Sequence, residues 1–161
     1  MQQDAVPPAL GPRGEGWVVL QGVLLVAVVA TAVFGPGWPA SVRVPLAILG
    51  MACAVGGAVL AVAGSRRLGP ALTPLPRPRD SQALRQDGIY RLVRHPIYGG
   101  VLLLAIGLSV WRSPWAMVPT LLLAALFDRK RRREEAWLIE AYPDYEEYRR
   151  RVIHVFWPHV W

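Results

Sequence analysis

The sequence predicts an all-α fold, an integral membrane helical bundle of about four transmembrane helices with a C-terminal amphipathic helix on the cytoplasmic side. Three observations carry that expectation. Hydrophobic residues make up 53% of the 161 and the mean hydropathy is +0.30. They fall in long blocks rather than at the three- and four-residue spacing of a surface helix, which points to a bilayer. The net charge of +7 and pI near 10.5 come from Lys and Arg gathered in the segments that flank those blocks, where anionic lipid headgroups account for them without any nucleic acid. The single cysteine, Cys53, lies inside an apolar block, so an intrachain disulfide and a multi-thiolate metal site are excluded and a packing role is expected.

In chain order, residues 1–16 are rich in Pro, Gly and Gln and are expected to form a disordered tail, without the basic start and small-residue cleavage site of a signal peptide. Residues 17–34 predict the first span, 18 residues whose only polar side chains are Gln21 and Thr31. Gly35, Pro36, Gly37 and Pro39 end it, with Trp38 as an interfacial anchor. Residues 44–63 predict a second span, and its Gly50, Ala54, Gly56 and Gly57 suit close helix contact, so 17–63 is expected to be a transmembrane hairpin.

From 64 onward a second unit is expected, running to residue 161. Its first part, to residue 87, carries four prolines between 70 and 78 together with several arginines, which excludes a continuous helix and holds the segment at the water side. It is either a plain linker or a cover over a ligand. Residues 97–111 and 114–127 predict two short apolar helices in a tight hairpin, with Trp111 and Trp115 at the far interface. Residues 128–161 are densely charged, yet Trp137, Leu138, Tyr142, Tyr145, Tyr148 and Val152 recur at helical steps. That pattern predicts an amphipathic helix on the membrane face, bent at Pro143, whose tyrosine stripe packs. With both termini inside, the outer loops hold only Arg43 and Arg112 of the 18 basic residues, as the positive-inside rule requires.

One stretch does more than anchor a helix. Residues 88–100 read GIYRLVRHPIYGG, placing a cation, an imidazole, two phenols and bare glycine backbone where a basic segment meets an apolar one. Pro96 suits the first helical position, and Gly99 and Gly100 admit a close neighbour. A proline-capped helix start with interfacial anchors is the plainer account of the same residues. The chain contains no GxGxxG, P-loop or nucleophile-elbow motif, and His95, His154 and His159 lack metal-ligand spacing. The remaining polar set, Tyr90, His95, Tyr98 and the pair Glu134–Glu135, suits a zwitterionic ligand with an aromatic base. The two glutamates also suit a solvated partnership with residues 129–133.

The block GIYRLVRHPIYGG, followed about 35 residues later by EEAWLIEAYPDYEEYRRRV and a closing Pro158, resembles the membrane methyltransferases of the isoprenylcysteine carboxyl methyltransferase and phospholipid methyltransferase superfamily. The match runs over roughly residues 82–158, and the first two spans carry no motif of it. The resemblance implies S-adenosylmethionine as cofactor, contacted by Gln82, Ala83, Leu84, Arg85, Tyr90, His95, Pro96, Ile97, Tyr98, Gly99, Glu134 and Glu135, and implies no metal. It also implies a methyltransferase core over 64–161 with its site on the cytoplasmic side. The carboxyl methyltransferases carry an arginine linked to substrate one turn before the glutamate pair. Here that position is Lys130, a point charge in place of a fork, and Lys130 with Arg131 is expected to act on the acceptor.

The partner expected is a lipophilic or lipidated acceptor drawn from the membrane. A carboxylate acceptor is already ionised at neutral pH and needs no base, whereas an amine headgroup needs one, so O-methylation is favoured over phospholipid N-methylation. Sterol reductases share a His-Pro-x-Tyr region and a tyrosine-rich tail, and a non-catalytic lipid-binding protein would share the basic face. Both remain alternatives at this level.

Overall fold

The computed structural model describes residues 6–77 and 83–158, and among these it contains five α-helices and no strand. They are α1 (Glu15–Phe34), α2 (Ala40–Leu68), α3 (Pro96–Arg112), α4 (Met117–Ala141) and α5 (Tyr145–Arg151). α1 and α2 are long and apolar enough to cross a membrane. α3 has 17 residues and the apolar part of α4 ends near Phe127, so among the described residues two helices are both long and apolar enough to span, and the expected count of four is not reached on that criterion. Rows of valine and leucine stand exposed on the bundle, among them Val19, Val23, Val26 and Val33 on α1, Val55, Val59 and Val62 on α2, and Leu121 and Leu122 on α4. An apolar belt of that extent fits contact with lipid.

The expected hairpin of the first two spans is corrected: α2 packs chiefly on α3, while α1 packs on α4 and α3. The cause is a seven-residue glycine repeat, Gly50, Gly57 and Gly64, set against Gly107, Gly100 and the Pro96–Ile97 pair on α3. A Cβ on Gly57 would lie 2.5 Å from the Gly100 carbonyl oxygen, and one on Gly107 would lie 2.5 Å from the Gly50 carbonyl oxygen. Only bare backbone allows two helices that close. α1 offers no such groove, so its apolar side chains (Leu24, Leu25, Val28) pack instead on the cluster of Leu102, Leu123, Leu126, Phe127 and Phe156.

Three further differences position the site. Residues 6–14, expected to be disordered, form a turn against the bundle: Gly16 N donates to Leu10 O at 2.8 Å and Trp17 Nε1 to Pro8 O at 3.1 Å. Gly14, at φ +85°, sits against Pro76 and Trp137. The charged run 128–135 does not begin a separate surface helix but continues α4, because Arg, Lys and Glu are strong helix formers. The helix stops at Tyr142, which precedes Pro143 and is extended (φ −129°, ψ 111°). After the short α5, residues 152–157 leave helical geometry and fold back on the start of α3, with Arg94 N donating to His154 O (3.1 Å) and His95 N to Val155 O (2.8 Å).

Candidate functional site

The start of α3 is held by what precedes and follows it. Asp87 leads into a 3-10 turn over Gly88–Arg91, in which Gly88 adopts φ +58° beside Arg67. Pro96 takes the first helical position after His95, whose backbone is non-helical. This arrangement turns the His95 and Tyr98 side chains to α4, where they meet Glu135 and Glu134, while the Tyr90 hydroxyl donates to Gly64 O of α2 at 3.4 Å.

Two carboxylates meet that group, and each takes a separate partner. Glu134 accepts a hydrogen bond from the Tyr98 hydroxyl at 2.6 Å. Glu135 accepts from Arg94 Nε at 3.0 Å and from His95 Nε2 at 3.1 Å, with Arg131 Nη1 at 3.7 Å from its other oxygen. Burial alone would raise the Glu135 pKa, but the hydrogen bonds and charges of His95 and Arg94 outweigh it and hold the group down at about 2. An ionised carboxylate only accepts, so His95 Nε2 is the donor in that contact. Arg94 also donates through Nη1 to the carbonyls of Val152 (2.6 Å) and Ile153 (3.0 Å). Arg94 therefore ties α4 and the returning tail to the start of α3.

These elements enclose a cavity of about 380 Å³. Its wall includes Ala83, Leu84, Arg85, Tyr90, His95, Pro96, Ile97, Tyr98, Lys130 and Glu134, which brings together most of the residues singled out from sequence. Three of them stand elsewhere. Gly99 lies behind the wall against the Phe156 backbone. Glu135 and Arg131 do not line the cavity: Glu135 faces Arg94 and His95, and Arg131 pairs with Asp128 at 2.7 Å. A helix turns about 100° per residue, so neighbours of Lys130 and Glu134 necessarily point away. Gln82 lies outside the described residues.

The structure adds residues that sequence reasoning missed. Tyr142, Tyr145 and Tyr148, expected only to pack, also line the cavity, and burial pushes the Tyr145 and Tyr148 phenols upward in pKa. Their three-residue spacing was the available signal. The proline-rich segment lines the cavity from Ala71 to Pro76, which favours a cover over a plain linker. Gln21 of α1 lines it too and accepts from Lys130 Nζ at 2.6 Å. Its signal was a lone amide in an apolar run.

A tyrosine-walled cavity holding one carboxylate and one buried ammonium suits a ligand with an aromatic base and polar ends. Residues 46–145 match the phospholipid methyltransferase family, 100 of the 161 residues. The chain belongs to that family. No curated protein matches it. The phospholipid methyltransferase match begins within α2 and ends at Tyr145, so it takes in the glycine repeat, the His95 region and the Glu134–Glu135 pair but leaves α1 outside. Membership makes the chain a membrane methyltransferase and decides against the reductase reading.

Proposed function

We propose that this phospholipid methyltransferase family member uses S-adenosylmethionine to methylate a lipophilic carboxylate acceptor. The observation that carries the reading is that His95 and Glu134, far apart in the chain, line one cavity of about 380 Å³ together with Tyr90, Tyr98, Tyr145 and Tyr148. The donor set fits the cofactor: a carboxylate for hydroxyl or ammonium groups, phenol rings for an aromatic base, and a volume within the usual range for small-molecule sites, about 300–1,000 Å³. When bound, the cofactor supplies a methyl group on a sulfonium; transfer to a carboxylate forms one C–O bond, breaks one C–S bond, leaves the electron pair on sulfur and moves no proton.

The chain's own residues are then required only to bind, orient and exclude water. Ala83–Arg85, Tyr90, His95–Tyr98 and Glu134 form the cofactor side, Glu134 being fixed by the Tyr98 hydroxyl at 2.6 Å. Lys130 faces the acceptor. Arg131, Gly99 and Glu135 act from behind the wall as positioning residues. Such alignment alone contributes up to about 7–11 kcal/mol of barrier lowering. The site opens on the cytoplasmic side and the acceptor arrives through the bilayer. The family match itself favours a second reading, N-methylation of a phospholipid amine, which needs a group to take a proton. Calorimetry with S-adenosylmethionine on detergent-purified protein tests the first reading. Binding weakened at least about tenfold by Glu134→Ala and by His95→Ala is expected; no binding, or binding indifferent to both changes, overturns it.

A further inference from the structure

Lys130 is the one lysine of the chain and its side chain has no exposure to solvent. Its ammonium donates to Gln21 Oε1 at 2.6 Å and to Pro74 O at 3.1 Å, and stands 5.0 Å from the centre of the Tyr98 ring. Each of these is an uncharged partner. Asp128, two residues before Lys130, pairs with Arg131 and Arg132, and Glu134, one helical turn after it, is engaged by Tyr98. A buried cation held by dipoles retains an unspent positive field, and that field points into the cavity that Lys130, Gln21 and Pro74 all line. Gln21 belongs to α1, outside the family-matched residues 46–145. It is one of two polar side chains in that apolar run.

Resting on the reading of the cavity as a methyltransferase site, we infer that Gln21 and Lys130 together form an anion subsite that selects lipophilic acceptors bearing an acid group. The amide orients the ammonium without neutralising it, so α1 decides the charge the acceptor must carry. Around Lys130, the charged or titratable groups facing it among the described residues are Tyr98 on α3 and Glu134 on α4, while α1 and the proline segment present only the Gln21 amide and the Pro74 carbonyl. Burial lowers the Lys130 pKa to about 8, against a smaller raising effect of Glu134. The subsite is therefore cationic at neutral pH and loses its charge above that value.

The test compares binding of oleate and oleyl alcohol, an acid and a neutral lipid of one chain length, to the full chain in neutral detergent by calorimetry. At about pH 7.5 the acid is expected to bind about tenfold tighter, and the preference is expected to fall at about pH 9.5. Gln21→Glu retains a hydrogen-bond acceptor for Lys130 but neutralises it, so the preference should vanish while the melting temperature holds. Lys130→Arg keeps its charge at high pH, so the preference should persist at about pH 9.5. Equal affinity for the two lipids, or a preference unchanged in Gln21→Glu, overturns the inference. S-adenosylmethionine binding in the same samples separates the two claims. Its absence with acid preference intact sinks the methyltransferase site and spares the anion subsite; its presence without acid preference does the reverse.

Discussion

Glu134 and Glu135 are adjacent, yet a helix turn of about 100° gives them different neighbours. Glu134 reaches the cavity and holds Tyr98; Glu135 is enclosed by Arg94, His95 and Arg131. Removing Glu135 leaves the Arg94 guanidinium, only 8% exposed, without its charge partner, and breaking one side of a buried pair costs about 3–5 kcal/mol. Glu135→Ala should therefore lower the melting temperature by several degrees, whereas Glu134→Ala should barely move it; scanning fluorimetry in detergent checks both. The pH response has a defined sign. The Glu135 pKa is depressed from 4.5 to about 2 in the folded chain, so its contribution is complete above pH 4.5 and is lost as pH falls through about 2. Melting temperature measured over that range should drop in the wild type and drop less in Glu135→Gln.

Among the elements, the α2–α3 contact depends on absent side chains. Gly→Ala in a helix usually stabilises by up to about 1 kcal/mol, but at Gly57 the new Cβ would meet α3 backbone at 2.5 Å, and overpacking costs about 1–3 kcal/mol. Gly57→Ala should destabilise despite the better helix former. Gly22→Ala, at a position with nothing within 4 Å, should be neutral or stabilising. A melting comparison of the two in one detergent decides it, and equal shifts would remove the glycine repeat as the cause of the packing. α4 shows the opposite economy: its apolar half packs in the bundle while its charged half carries Lys130 and Glu134 to the cavity and Glu135 to the Arg94 cluster, because nothing in RKRRREE stops a helix before Pro143.

For the whole molecule, two helices long enough to span, together with exposed valine and leucine along α1, α2 and α4, require that the chain stay with membranes when charge contacts are removed. Alkaline carbonate washing of membranes should leave it in the pellet; release into the supernatant would mean that it is held at the surface by its arginines. The sequence by itself determined the helical class, the apolar blocks, the break at Pro143 and the His95 and Glu134 neighbourhoods, because hydropathy, proline geometry and a spaced motif are local or near-local properties. Only the tertiary structure decided that α2 pairs with α3 rather than α1, that the tyrosines of α5 turn to the cavity, that Glu135 and Arg131 turn away from it, and that Gln21 reaches Lys130 from a helix without any motif. Each of these depends on which faces meet after the chain has folded back on itself, and residue spacing along one helix does not say which other helix will lie across it.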